Sequence, residues 1–104
     1  MIEQDFYGTW KSGTAVEMFT ADTYEFDHGN LHYKAAIKSW KQVKNDYKLK
    51  RKYPEGFECT FIVTEVFKGN HIYKVGSKVI NKAFINKDGT ARIDEGFFWE
   101  RKDG

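Results

Sequence analysis

The chain has 104 residues, 31% of them charged, and a formal net charge of +2. Its length predicts one domain over residues 1–104. The single cysteine, Cys59, excludes an internal disulfide and argues against a cysteine-rich zinc site. No apolar run reaches the roughly 20 residues that a membrane helix needs, and no basic patch followed by an apolar stretch marks a signal peptide at the N-terminus.

In chain order, the first strand signal is DFYGTWKSG, with Trp10 at its centre. AVEMFT, residues 15–20, reads as a second strand that ends at the turn-favouring Ala21-Asp22. In TYEFDHGNLHYKAAI, Tyr24 and Phe26 share one face, DHGN turns the chain, and Leu31, Tyr33, Ala35 and Ile37 share a face after it. AIKSWKQVKNDYKLKRKY is ambiguous. Ile37, Trp40, Lys44 and Tyr47 have spacings that suit a helix, whereas β-formers alternate after Trp40. We read the segment as one or two long strands with a bulge, a helix being the alternative.

FECTFIVTEVF alternates strictly. Phe57, Cys59, Phe61, Val63 and Phe67 fall on one face, Glu58, Thr60 and Thr64 on the other, and Glu65 intrudes on the apolar face. INKDGTARI reads as a hairpin in which Asp88-Gly89 tolerates positive φ, and GFFWERK supplies a last short strand. Strands recurring about every ten residues, with turns between them, predict an all-β barrel or sandwich.

Gly8-Thr9-Trp10 on the first strand resembles the G-x-W signature of lipocalins and their calycin relatives, in which the tryptophan closes one end of a barrel and a last-strand arginine packs across it. Arg101 matches that arginine. MFTADTYEFD, YPEGFECTF and FINKDGT resemble segments of small bacterial lipocalin-like domains. The resemblance implies an antiparallel up-and-down β-barrel of about eight strands, with Gly8, Trp10 and Arg101 forming its closure. It also implies a bacterial source and a cell-envelope or secreted setting, with a cytoplasmic one left open. The chain is shorter than typical lipocalins and lacks an obvious C-terminal helix and a disulfide, so the depth of a pocket is in question. Trp10 and Arg101 are expected to plug the fold without touching a ligand.

An eight-stranded barrel can hold one small ligand or fill its interior with side chains. A ligand would meet Tyr24, Phe26, Tyr33, Phe61 and Val63, the large residues on the apolar faces of the middle strands, with a few polar groups fixing its orientation. The expected function is non-catalytic binding of a small apolar or amphipathic molecule. Two alternatives stay open: a protein-interaction or inhibitor module that uses the barrel exterior, and a polyanion or nucleic-acid binder.

The last alternative rests on charge. Lys34, Lys38, Lys41, Lys44, Lys48, Lys50, Arg51 and Lys52 face a single acid, Asp46, giving residues 34–52 a charge of +7 and leaving −5 for the rest of the chain. Trp40, Tyr47 and Tyr53 interleave these cations. Against specific anion recognition, seven of the eight are lysine rather than arginine. The competing reading is a solvated strand face, or lysines that guard a sheet edge.

Other candidates for chemistry read as ordinary structure. His28 and His32, with Asp27, flank one turn and His71 sits in another predicted loop; histidines in polar turns are usually just solvated, and no metal is expected. Cys59 on an apolar face behaves as a small hydrophobe, because a nucleophilic thiol needs a base and a lowered pKa. No phosphate loop, G-x-S-x-G elbow, H-E-x-x-H or assignable carboxylate pair is present, so neither an enzyme nor a cofactor is expected.

Overall fold

Alternating apolar and polar residues can bury one face of every strand if the sheet curls onto itself or packs on a second sheet. In the computed structural model, which describes residues 3–47, 49–94 and 97–102, it curls. A 3-10 turn, Glu3–Phe6, precedes strands β1 (Gly8–Ser12), β2 (Ala15–Phe19), β3 (Thr23–His28), β4 (Leu31–Lys44), β5 (Glu55–Lys68), β6 (Lys78–Ile85), β7 (Ala91–Asp94) and β8 (Phe97–Arg101). Each strand pairs antiparallel with the next, and β8 returns to β1 through Trp10↔Arg101 and Lys11↔Glu100. The result is a closed eight-stranded up-and-down barrel. Among the described residues no helix is long and apolar enough to cross a membrane.

Phe57, Cys59, Phe61 and Val63 face inward and are buried, as the alternation predicts. Beyond Val63 the expected face breaks. Ala35 pairs with Val63 but Lys34 pairs with Glu65, so Thr64 is an extra residue that bulges and offers its Oγ1 to the Lys34 carbonyl at 3.3 Å. The bulge carries Glu65 outward opposite Lys34 and lets Val66, beside Tyr33, pack against the core. Phe67, expected on the apolar face, is 46% exposed.

A second bulge resolves the ambiguous segment. Ile37 pairs with Phe61 and Ser39 with Thr60, which leaves Lys38 unpaired. The inserted residue puts Trp40 opposite Cys59, where its ring meets Phe6, Phe19 and Phe57. A spacing of three between Ile37 and Trp40 thus reflects a bulge in a strand, not a helical turn. The strand ends at Lys44, short of the longer run expected. Residues 45–47 and 49–54 lie outside the strands, and Asn45 ties their two ends together: its backbone N–H donates to the Pro54 carbonyl and its Nδ2 to the Tyr53 carbonyl, both at 2.9 Å. Lys48 lies outside the described residues.

Two features position the cavity described below. At Gly56, β5 approaches β6 so closely that a Cβ would fall 1.8 Å from the Ala83 carbonyl oxygen, which only glycine permits. Along its other side, β6 pairs with β7 only at Phe84↔Ile93 and Ile85↔Arg92. Among the described residues, Lys78 to Ala83 therefore have strand partners on one side alone, and the barrel wall has a seam there.

Candidate functional site

One end of the barrel is closed by side chains that satisfy one another. Trp10 is fully buried, and its indole Nε1 donates to the Phe6 carbonyl at 2.9 Å. The Arg101 guanidinium lies 4.2 Å from the Trp10 ring centroid. It donates to the carbonyls of Tyr7 and Asp5 at 2.6 Å and of Gly89 at 3.1 Å, tying the entry of β1 to the β6–β7 turn. Gly8 has φ +112°, and a Cβ there would stand 3.0 Å from Arg101 Nη1. The glycine of the Gly-x-Trp pattern thus serves both the backbone conformation and the space that the guanidinium fills.

Above this plug sits an ion pair that the sequence reading missed. Arg92 is fully buried, and its Nη2 donates to Glu17 Oε1. The guanidinium carbon lies 5.0 Å from the Trp10 centroid, 5.1 Å from Phe19, 5.3 Å from Trp99 and 5.6 Å from Phe6. Nε and Nη1 have no hydrogen-bond acceptor among the described residues; the ring faces around them offer quadrupole attraction instead. Glu17 Oε2 accepts from the Tyr24 hydroxyl. Burial pushes the Tyr24 phenol well above its ordinary pKa, and the adjacent Glu17 charge adds to that, so it remains a donor.

Over Glu17 and Tyr24 opens a cavity of about 390 Å³. Phe61, stacked on Tyr24 at 4.1 Å, and Trp99 line it deep in the barrel. Phe26, Leu31, Tyr33, Tyr73 and Phe97 line it toward the far end. Burial raises the Tyr33 phenol as well, helped by Tyr73. Val79, Ile80, Asn81 and Lys82, four consecutive residues of β6, all border the space. Consecutive strand residues point to opposite faces, so the cavity must run along the strand's edge and reach the surface through the seam. Asp94 borders it from β7; its Oδ2 accepts from Trp99 Nε1 at 3.1 Å and lies 3.9 Å from Arg92 Nη1.

Comparison of this chain with protein-family models, with curated proteins and with solved structures found no match in any of the three.

Of the residues singled out from sequence, Tyr24, Phe26, Tyr33 and Phe61 line the cavity. Val63 is buried on the same face of β5 but outside the lining, beneath the 69–77 loop that bonds to its backbone. Gly8, Trp10 and Arg101 lie together at the plug. Besides Glu17 and Arg92, sequence reasoning missed Asp94, Tyr73, Phe97 and Trp99 as lining or supporting residues. A signal existed: Glu17 sits between Ala15 and Phe19 on the inward parity of β2, and Arg92 and Asp94 share the inward parity of β7.

The remaining candidates lie elsewhere. Cys59 is buried, and desolvation pushes its thiol up to about 12, which keeps it protonated. His32 Nε2 lies 2.6 Å from Glu25 Oε2, with its ring against exposed Phe67; the His28 ring meets Phe97 edge-on. Among the described residues no three His, Cys, Asp or Glu side chains gather as a metal site. In the basic segment, Lys34, Lys41 and Lys44 stand directly across from Glu65, Glu58 and Glu55 of β5. Three of the eight cations of residues 34–52 thus have a glutamate across the ladder. Lys34 lies where β4 is paired on both sides, whereas Lys41 and Lys44 lie beyond Ala36, the last residue paired with β3, on a stretch that among the described residues has a strand partner only in β5, where lysines can guard an edge.

Proposed function

We propose that the protein is a non-catalytic binding protein that takes a small apolar or amphipathic ligand into its barrel. The observation that carries this reading is the cavity of about 390 Å³, of the size and aromatic lining that small-molecule sites have. The Gly8, Trp10 and Arg101 closure supports kinship with lipocalin-like, calycin-type barrels, whose interior is the binding site. Two features favour binding over catalysis. The only thiol is held protonated in the wall, and the buried carboxylate of Glu17 is engaged by Arg92 and Tyr24. The register between β4 and β5, which sets Glu65, Glu58 and Glu55 across from Lys34, Lys41 and Lys44, weighs against a polyanion partner on that part of the strand.

Titration with Nile red, a neutral amphipathic dye, tests this. Saturable binding of one dye per chain is expected, lost in Val79→Trp, which fills the cavity beside the seam. No saturable binding by a folded wild-type protein, or binding indifferent to Val79→Trp, would overturn the reading.

A further inference from the structure

We propose that the seam between β6 and β7 is a docking edge for an extended peptide. The strand pairs antiparallel with residues 78–83 of β6, carries acids opposite Lys78 and Lys82, and turns apolar side chains into the cavity. The inference goes beyond the small-ligand reading above while sharing its cavity.

The backbone supplies the first argument. In an antiparallel ladder the N–H and C=O of one residue point to the same neighbouring strand, and successive residues alternate. The register between β5 and β6 runs without a shift from Glu55↔Ile85 to Ile62↔Lys78. Just before β6 the Ser77 carbonyl accepts from the Val63 N–H of β5 at 2.9 Å, and just after it the Asn86 N–H donates to the Ala91 carbonyl of β7 at 2.9 Å. Both ends fix the same parity. Odd-numbered residues of β6 bond toward β5, so Lys78, Ile80 and Lys82 turn their N–H and C=O groups into the seam, where among the described residues no strand meets them. Such a row of donors and acceptors is what an added strand pairs with.

The side chains choose the partner. Val79 and Asn81 are half-buried on the inward parity, and Lys78, Ile80 and Lys82 are exposed on the outward one. Residues directly opposite in an antiparallel pair share a face of the sheet. The outward side chains of an incoming strand therefore meet Lys78, Ile80 and Lys82, and its inward ones reach the aromatic cavity that Val79 and Asn81 border. Lys78 stands across from apolar Ile62, and Lys82 lies 3.9 Å from Glu58. Two lysines and one glutamate give this edge a net charge of +1. A second copy pairing through the same edge about a two-fold at Ile80 would set Lys78 against Lys82, which like-charge repulsion opposes. Lysines at both ends of the bare stretch thus resist self-pairing and favour a strand with acids at those two positions.

The test titrates the protein with acetyl-Glu-Leu-Val-Leu-Glu-amide, with its Lys-Leu-Val-Leu-Lys counterpart, and with the acidic peptide N-methylated at valine, which lacks the donor for the Ile80 carbonyl. Binding is read by NMR from the backbone amides, and Nile red is titrated separately. The acidic peptide should bind about tenfold tighter than the basic one and about tenfold tighter than the methylated one. The Ile80 and Lys82 amides should move downfield and gain protection from hydrogen exchange. Ile80→Pro removes a donor on the side away from β5, where a strand edge admits proline, and should lose the peptide while staying folded. If it does not fold, the methylated peptide makes the same test on the wild type. Equal binding of the acidic and basic peptides overturns the charge assignment. Equal binding of the methylated peptide, or shifts that leave β6 unmoved, overturns the strand pairing. A dimer in sedimentation that Ile80→Pro abolishes gives the edge to a second copy and overturns the proposal. In each of these cases saturable Nile red binding keeps the small-ligand reading. Peptide binding without Nile red binding keeps the docking edge and overturns that reading, and failure of the dye and every peptide with a folded protein overturns both.

Discussion

The two ends of this barrel use the same kinds of side chain to opposite effect. At the plug, Phe6 packs edge-on against Trp40, the Trp10 indole donates to the Phe6 carbonyl, and Arg101 donates to three backbone carbonyls. At the other end, Phe26, Tyr33, Tyr73 and Phe97 stand around open space, and Asp94 borders it. The plug is what lets a short chain keep a hole: packing concentrated at the closed end leaves the opposite rings around open space. Between the two regions, Arg92 and Glu17 form the floor, and the aromatic cage makes a buried guanidinium tolerable.

That contrast can be broken from the plug side first. Trp10→Ala should cost about 3–5 kcal/mol in denaturant-induced unfolding. Glu17→Ala should cost a similar amount, about 3–5 kcal/mol, because it removes the hydrogen-bonded partner of the buried Arg92 and leaves it the 3.9 Å contact with Asp94; a loss under about 1 kcal/mol would mean that the rings and Asp94 carry the guanidinium. In a double-mutant cycle, Trp10 and Arg101 should couple by about 0.5–3 kcal/mol, whereas additive losses would show that the stacking is energetically idle.

Alkaline pH acts on the walls. Tyr24, Tyr33 and Cys59 hold their protons more tightly in the folded chain than in the unfolded one. Their contribution is complete below the ordinary thiol value of about 8.5 and phenol value of about 10. It falls as pH rises toward their raised folded values, by at most about 1.4 kcal/mol per pH unit for each group. Denaturation midpoints should therefore drop steeply above about pH 9–10, and a flat profile to pH 11 would place these side chains in water. The smallest effect belongs to the open end: Phe97→Ala should change stability by less than about 1 kcal/mol, as expected where little packing is lost, while weakening Nile red several-fold. A large stability loss there would show that the rim is core after all.

Much of this was legible before any coordinates. Period-two alternation placed Tyr24, Phe26, Tyr33, Phe57, Cys59, Phe61 and Val63 inside, and the Gly8–Trp10 pair with Arg101 marked the closure. The failures share one cause, the β-bulge. Thr64 and Lys38 each shift the side-chain parity by one, so Phe67 went outward and Trp40 inward against the simple count, and nothing in the composition of either stretch announces the extra residue. The ion pair was missed for a different reason. Glu17 and Arg92 meet across 75 residues, and alternation read strand by strand gives each one's face but not its partner. Charge summed along the sequence hides the same kind of cross-strand neighbour: three of the lysines in residues 34–52 have Glu65, Glu58 and Glu55 opposite them in the register.

The central claim, that the interior and not the outer faces is the working surface, can be read directly from where a probe lands. Two-dimensional amide and indole NMR during a Nile red titration should shift Tyr24, Tyr33, Phe61, Val79 and the Trp99 indole together, at one dye per chain, while Lys41, Lys44 and Lys50 stay still. Shifts confined to the outer lysine face or to the exposed Met18 and Phe98 surfaces, with the Trp99 indole unmoved, would contradict it.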